Sequence, residues 1–234
     1  MNILQPNWPK PNNIHAICTL KNCLINNNIN QFIHKYTKNN KNNLFLLEQE
    51  HGITILSANH NNIVPKADGS FTQQKHLICT VKTADCLPIL ITNQQGNFVA
   101  AIHAGWRGLA KGIIENFFNQ IKIFNFNNNN LLFWFGPAIS EKAFEIGEEV
   151  LEQFKSINID LYKNICNYAI TKINNNKYLA NIYKIAQLAL DQFDIHNNQI
   201  FCENYCTYSQ SDIFYSYRRE PLNQNRMFSL IWIN

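Results

Sequence analysis

Apolar residues along this chain fall into short unbroken or alternating runs, and those runs mark strands first and helices second. His15 to Leu20 and Leu44 to Gln49 read as short strands, with Ile29 to Tyr36 as a short helix between Asn-rich stretches. Ala67-Asp68-Gly69 carries a turn signal. Three apolar runs follow, Leu77 to Thr83, Leu87 to Thr92 and Phe98 to His103. The last two are separated by Asn93-Gln94-Gln95-Gly96-Asn97, a loop of hairpin length. Leu109, Ile113, Phe117 and Ile121 recur every four residues, with Ala110, Ile114 and Phe118 beside them, which predicts one amphipathic helix. Leu131 to Phe135 reads as a buried strand stopped by Gly136-Pro137. Ile182, Ile185, Ala186, Ala189 and Phe193 share one face of a second clear helix. Met227 to Ile233 is almost wholly apolar and belongs deep in a sheet. Hairpin strands with helices in separate blocks predict an α/β fold of the α+β type: one domain spanning 1–234, with mixed β-sheets in a sandwich flanked by helices.

Composition supports a self-sufficient core. With 234 residues and 46% hydrophobic content, such a chain buries roughly 70–75% of its unfolded surface without disulfides or a partner. The net charge is only +4, and no basic stretch with interleaved aromatics stands out, so nucleic acid is not an expected partner. The Asn runs 26–28, 127–130 and 174–176 read as polar loops. Met1 to Lys10 has Pro6 and Pro9 and no apolar run, unlike a signal peptide. No segment approaches the roughly 20 apolar residues of a membrane span. Seven cysteines, an odd number with several inside apolar runs, suit reduced thiols in a cytoplasm.

Candidate chemistry gathers at strand ends. His51 lies in Gln49-Glu50-His51-Gly52, Cys86 in Thr83-Ala84-Asp85-Cys86-Leu87-Pro88, and His103 in His103-Ala104-Gly105-Trp106-Arg107-Gly108. Two imidazoles and a thiolate suit Zn²⁺ and leave a fourth position open. Their gaps of 35 and 17 residues match no compact zinc motif. On the residues alone, a metal site competes with buried structural His and Cys. His76 is a minor competitor for the third ligand position, and His60 reads as solvated. Gly105 and Gly108 ahead of a helix, with the Arg107 fork, either seat an anion or form a tight turn with Arg107 solvated. Cys206-Thr207-Tyr208 and Tyr215-Ser216-Tyr217-Arg218-Arg219 either stack on a flat base and reach an anion, or form a Tyr-rich strand edge. Cys202 and Cys206 read as a packing thiol and a loop thiol.

These motifs, together with Gly136-Pro137-Ala138-Ile139, Phe214 to Arg219 and Arg226-Met227, resemble the YfiH-type family of laccase-domain, purine nucleoside phosphorylase-like proteins, from about Leu44 to the C-terminus. The resemblance implies a zinc site at His51, Cys86 and His103, which are also the catalytic residues, with copper possible in vitro. It implies phosphorolysis of adenosine, inosine, guanosine and methylthioadenosine, with adenosine deamination beside it. Arg107, Arg218 and Tyr217 are the expected substrate contacts. The expected partners are a purine nucleoside and phosphate, with no nucleic acid and no membrane, in a cytoplasmic monomer or homodimer. Two rival activities attach to the same resemblance. One is a cysteine amide hydrolase acting on cell-wall peptide precursors, with Cys86 as nucleophile and His103 as base. The other is a copper-dependent phenol oxidase, for which one His₂Cys set offers few ligands. A closed structural zinc site would need a fourth protein ligand, such as His76 or Glu50. The sequence departs from the family at Glu50, commonly Val, at a shortened segment around Thr19-Leu20-Lys21-Asn22, and at Asn225, commonly Gly.

Overall fold

A computed structural model describes residues 3–23, 28–37, 43–60 and 63–234. In chain order the main elements are β1 (Ile3–Leu4), β2 (Ile14–Thr19), α1 (Ile29–Thr37), β3 (Asn43–Phe45), β4 (Ile55–Ser57), β5 (Gly69–Thr72), β6 (Leu77–Thr83), β7 (Leu87–Asn93) and β8 (Val99–Ala104). The remainder are α2 (Trp106–Ala110), α3 (Ile113–Ile121), β9 (Leu131–Phe135), β10 (Glu145–Gly147), α4 (Glu148–Phe154), α5 (Ile159–Tyr168), β11 (Ile170–Asn174), β12 (Lys177–Ala180), α6 (Ile182–Asp191), β13 (Ile200–Cys202) and β14 (Met227–Ile233). Among the described residues no helix is long and apolar enough to cross a membrane.

The expected sandwich of mixed sheets is present. One sheet has the order β1-β2-β14-β6-β3, a second β13-β9-β7-β8-β5-β4, and a small third β10-β12-β11. Parallel pairs (β3 with β6, β4 with β5, β13 with β9) sit at sheet edges around antiparallel centres.

Side-chain alternation assigns each strand face to a layer. Leu77, Cys79 and Val81 of β6 and Ile14, Ala16 and Cys18 of β2 point inward, where they meet Leu90, Val99, Ala101, Leu132 and Trp134 of the second sheet. The outer face of the first sheet, with Ile17, Ile78, Leu230 and Trp232, is covered by Ile29, Phe32 and Ile33 of α1. The outer face of the second, with Leu87, Ile89, Ile91, Ala100, Ile102 and Phe133, is covered by α3, α6 and their neighbours. β7, β8 and β9 are therefore apolar on both faces because helices cover one side and a sheet the other.

Several expected boundaries shift. The single helix predicted through Leu109–Ile121 breaks at Gly112, whose φ of +86° no helical residue adopts. The chain turns there so that α2 and α3 each keep an apolar side on the core. Only Asn43–Phe45 of the expected 44–49 strand pairs, after which Glu48 makes a lone bridge to Lys66. Phe193 lies just beyond α6 and stacks on Phe118 at 4.1 Å. Asn127 caps the turn into β9 by accepting from the Asn129 N–H, and Asn174 and Asn176 flank the β11–β12 turn. Asn26 and Asn27 lie outside the described residues. β4, β5, β13, the small sheet, α4 and α5 carried no clear periodic signal.

A Cβ at Gly112 meets only the Glu115 side chain at 3.5 Å or more, so its requirement for glycine is conformational. Gly112→Ala is expected to destabilise the protein by about 1 kcal/mol, read as a lowered denaturant midpoint at unchanged slope.

Candidate metal centre

Two strand ends and one loop deliver the three ligand candidates to one place; His51, expected at a strand end, lies in the loop. β6 and β7 meet at the Ala84-Asp85-Cys86 turn, and the β7–β8 register sets Pro88 opposite His103. Cys86, just before β7, thus stands beside the end of β8. His51 arrives from the loop before β4, which pairs with β5 starting at Gly69. The ligand atoms of His51, Cys86 and His103 all lie within 4.8 Å of one another, the one such cluster among the described residues. The two imidazoles meet edge to face at 4.8 Å between centroids. His103 is buried, Cys86 half-buried and His51 exposed.

Asp68 holds two of the three. Its Oδ1 lies 2.8 Å from His103 Nδ1 and accepts the His51 N–H at 3.0 Å. Its Oδ2 accepts the Gly52 N–H at 2.7 Å and the Glu50 N–H at 3.3 Å. Burial works to raise the Asp68 carboxyl pKa, but the bonds from His103 and Gly52 outweigh it and hold it below the usual range. With Nδ1 committed to the carboxylate, His103 keeps Nε2 for a metal ion, the usual carboxylate–histidine arrangement. His51 itself has φ of +56°, a left-handed conformation that the three N–H bonds to Asp68 hold in place.

The donor set favours its metal-binding charge state. Burial works against a Cys86 thiolate, but His103 and His51 beside it prevail and lower its pKa. Burial likewise opposes charge on His103, while Cys86 and Asp68 raise its pKa. The two shifts describe one thiolate–imidazolium pair, from which a metal ion would displace the proton.

The donor chemistry and spacing fit a single transition-metal ion, given metal bonds of roughly 2.0–2.3 Å. Gly105 supports the fit. A Cβ there would stand 3.0 Å from Cys86 Sγ, 3.2 Å from His51 Cδ2 and 3.7 Å from His103 Cε1, touching all three candidates at once. Gly108 has a related role, since its Cβ would meet the Gly52 carbonyl at 2.9 Å and push the His51 loop away.

The centre opens into a cavity of about 680 Å³ whose walls include Arg107, Arg218, Tyr217, Trp106 and Phe144. All six expected site residues therefore meet at one cavity. Arg107 is exposed and lies 4.2 Å over the Trp106 ring. Arg218 donates through Nη2 to the Glu145 carbonyl at 2.9 Å and sits over Phe144. Arg219 turns away to the carbonyls of Thr207, Tyr208 and Phe214. The helix after Gly105 has only five residues, so an anion near it depends on the Arg107 guanidinium rather than on a macrodipole.

The other candidates are not ligands here. Glu50 pairs with Lys66 at 2.7 Å. His76 precedes β6 and Cys86 follows it, at the opposite end of the strand. His60 hydrogen-bonds the Asn43 side chain. Cys206, read as a loop thiol, is buried and accepts from Ser140 Oγ at 3.0 Å. All seven cysteines are free thiols.

Two functional carboxylates escaped the sequence reading. Asp68 sits at the bend that its turn signal predicts, directly before β5, but a turn signal says nothing of where its carboxylate goes. Asp85, at φ of +89°, accepts from Thr207 Oγ1 at 2.5 Å, Ser216 Oγ at 3.0 Å and the Arg218 N–H at 2.7 Å. It ties the segment bearing Tyr217 and Arg218 to the Cys86 turn. An Asp between two small residues at a strand end was the available signal in both cases.

Asp68→Asn removes charge from the support of both histidines and is expected to weaken metal binding about 10–100-fold, read by competition with a chelator. Gly105 has φ of −71°, open to any residue. Gly105→Ala should therefore fold normally yet lose metal, measured as stoichiometry per chain against an unchanged circular dichroism spectrum.

Comparison with known proteins identifies the family. The family model described as multi-copper polyphenol oxidoreductase laccase matches residues 20–234. The chain is 35% identical to a Haemophilus influenzae protein named purine nucleoside phosphorylase, with 99% of each covered. It is 34% identical to the Escherichia coli K12 protein named purine nucleoside phosphorylase YfiH, over 99% of this chain and 98% of that one. A crystal structure from Neisseria meningitidis superposes with a TM-score of 0.85 at 29% identity, covering all of both chains. YlmD from Geobacillus stearothermophilus shares the fold with a TM-score of 0.86 at 19% identity. Matched over nearly its whole length by both the family model and these relatives, the chain belongs to the YfiH-type family of laccase-like proteins.

Proposed function

We propose that this chain is a zinc-dependent purine nucleoside phosphorylase. It would convert adenosine, inosine, guanosine or methylthioadenosine, with phosphate, to the free base and ribose 1-phosphate, and would also deaminate adenosine. The observation that carries the reading is the junction of a three-donor metal set with a cavity lined by both guanidinium groups and apolar or aromatic side chains. The names of the relatives support it.

His51, Cys86 and His103 would hold the ion, with Cys86 as thiolate ligand rather than nucleophile. When bound, zinc supplies Lewis-acid polarisation at a position left open by its three protein ligands. Arg107 and Arg218 bind and orient the phosphate. The Arg218 bond to the Glu145 carbonyl leaves its remaining N–H groups for that task. Tyr217, Ile139 and Ile182 line the cavity and provide flat and apolar surface for a purine. Asp85 positions Arg218 through its backbone N–H. As the C1′–N9 bond breaks, an oxygen of hydrogen phosphate bonds to C1′, and the proton that the phosphate gives up leaves on the base. Fixed guanidinium groups screen the phosphate charge as it meets the sugar.

One observation favours a second reading. The order Asp68, His103, Cys86 is a carboxylate–imidazole–thiol chain of the kind a cysteine amide hydrolase employs. His51 against the same thiol is superfluous to that chemistry and necessary to a metal set. A multi-copper oxidase finds less support, since one three-donor group holds one ion.

Zinc-loaded protein given adenosine should form adenine and ribose 1-phosphate only when phosphate is present, and Cys86→Ala should abolish both products. Inosine would report deamination. Arg107→Met and Arg218→Met should each raise the KM for phosphate about tenfold or more, with a smaller effect on nucleoside KM. Protein at full zinc occupancy that forms neither product defeats the phosphorylase reading. A metal-free protein that cleaves amides establishes the second.

A further inference from the structure

The cavity has a second cationic wall that phosphorolysis of a simple nucleoside does not use. Lys82 and Arg226 line it; Lys82 belongs to β6 of the five-stranded sheet, and Arg226 immediately precedes β14 of the same sheet. The β14–β6 register pairs Met227 with Thr83 and Phe228 with Lys82, which brings the end of β6 beside the start of β14. Arg107 follows β8 of the other sheet, and Arg218 is tied to Glu145 of the small sheet. The two cationic pairs therefore reach the one cavity from different segments of the chain.

Both groups are built to face a ligand. Arg226 spends Nη1 on the carbonyls of Asn223 and Asn225, at 2.8 Å each. That fixes the plane of the guanidinium and leaves Nε and Nη2 without protein partners among the described residues. The Lys82 ammonium also has no protein partner among them. Its backbone is pinned on both sides. β3 pairs with β6 only as far as Cys79, and beyond it the Gln49 carboxamide takes the place of the missing strand. Gln49 donates to the Lys82 carbonyl at 2.8 Å and accepts its N–H at 2.7 Å. Two carboxylates also line the cavity. Asp85 is consumed by three donors, and Glu48 lies in the field of Lys66.

We infer that Lys82 and Arg226 form a seat for the phosphate of a nucleoside 5′-phosphate, distinct from the seat of inorganic phosphate at Arg107 and Arg218. The inference rests on the nucleoside reading of the cavity. A ribose ring separates C1′, which inorganic phosphate attacks, from its 5′ substituent, so a nucleotide brings a second anion to the cavity that a second cationic pair can meet. A planar guanidinium and a point-charge ammonium together suit a dianionic phosphate monoester.

Calorimetric titration of the zinc-loaded protein with adenosine 5′-monophosphate and with adenosine tests this, using saturating sulfate as an unreactive stand-in for inorganic phosphate. The nucleotide should bind at least tenfold more tightly than adenosine, and sulfate should weaken it less than threefold. The Lys82→Met, Arg226→Gln double variant should lose that advantage, cutting nucleotide affinity at least tenfold more than adenosine affinity. Arg226 also braces the 223–225 turn, so Lys82→Met alone, whose side chain holds no protein group, should cost at least threefold. A nucleotide that binds no better than adenosine, that sulfate displaces, or whose advantage survives in both variants overturns the second seat. Adenosine that binds but is never phosphorolysed overturns the phosphorylase reading and leaves the seat standing.

Discussion

A buried Asp68 carboxylate holding four donors is the constraint on which the centre depends. The carboxylate is 1% exposed, and a charge so placed is costly unless every lone pair is engaged. One imidazole N–H and the three successive N–H groups of Glu50, His51 and Gly52 engage it. Those bonds reinforce the pairing of β8, β5 and β4 and draw in the loop before β4, which strand pairing alone does not hold. The backbone repeats the connection, since the His103 N–H donates to the Asp68 carbonyl at 2.7 Å. His51 can keep a left-handed backbone only because this anion draws its N–H inward.

Asp85 performs the matching task on the other side of Cys86. It too has a left-handed backbone and a carboxylate with three donors. Its partners come from residues 207–218, more than a hundred positions away, so the arm carrying Tyr217 and Arg218 is anchored to the turn that carries the thiol. Metal set and cavity wall are thus two consequences of satisfying two buried carboxylates. Glycines supply the remaining tolerance: Gly105 leaves the ligand set its room, and Gly108 lets the His51 loop lie close over α2.

Much of the frame is legible in the order of residues. The runs at Leu77–Thr83, Leu87–Thr92, Leu131–Phe135 and Met227–Ile233 correspond to central strands, because a strand covered on both faces must be apolar throughout. The amphipathic period through Leu109–Ile121 correctly places that face on the core but misses the break at Gly112, since a backbone reversal leaves hydrophobic spacing intact. The edge strands β4 and β13, and β5 beside β4, are three or four residues long, too short for a period to accumulate. They exist because neighbouring strands offer hydrogen bonds, which is a tertiary cause.

The sequence by itself determined the layered α/β character, the apolar strands, and the strand-end placement of Cys86 and His103, whereas His51, expected at a strand end, lies in the loop between β3 and β4. Through its motifs it also determined the family. Spacing of 35 and 17 residues could not show that the three side chains converge. Convergence depends on the β7–β8 register and on which strand Asp68 precedes, and neither is encoded locally. Only the tertiary structure decided that Glu50 turns to Lys66, that His76 lies at the far end of β6, and that Arg218 faces the cavity while Arg219 braces carbonyls. Each of these depends on which groups the folded chain brings within reach of one another, and that is defined only once the chain has closed.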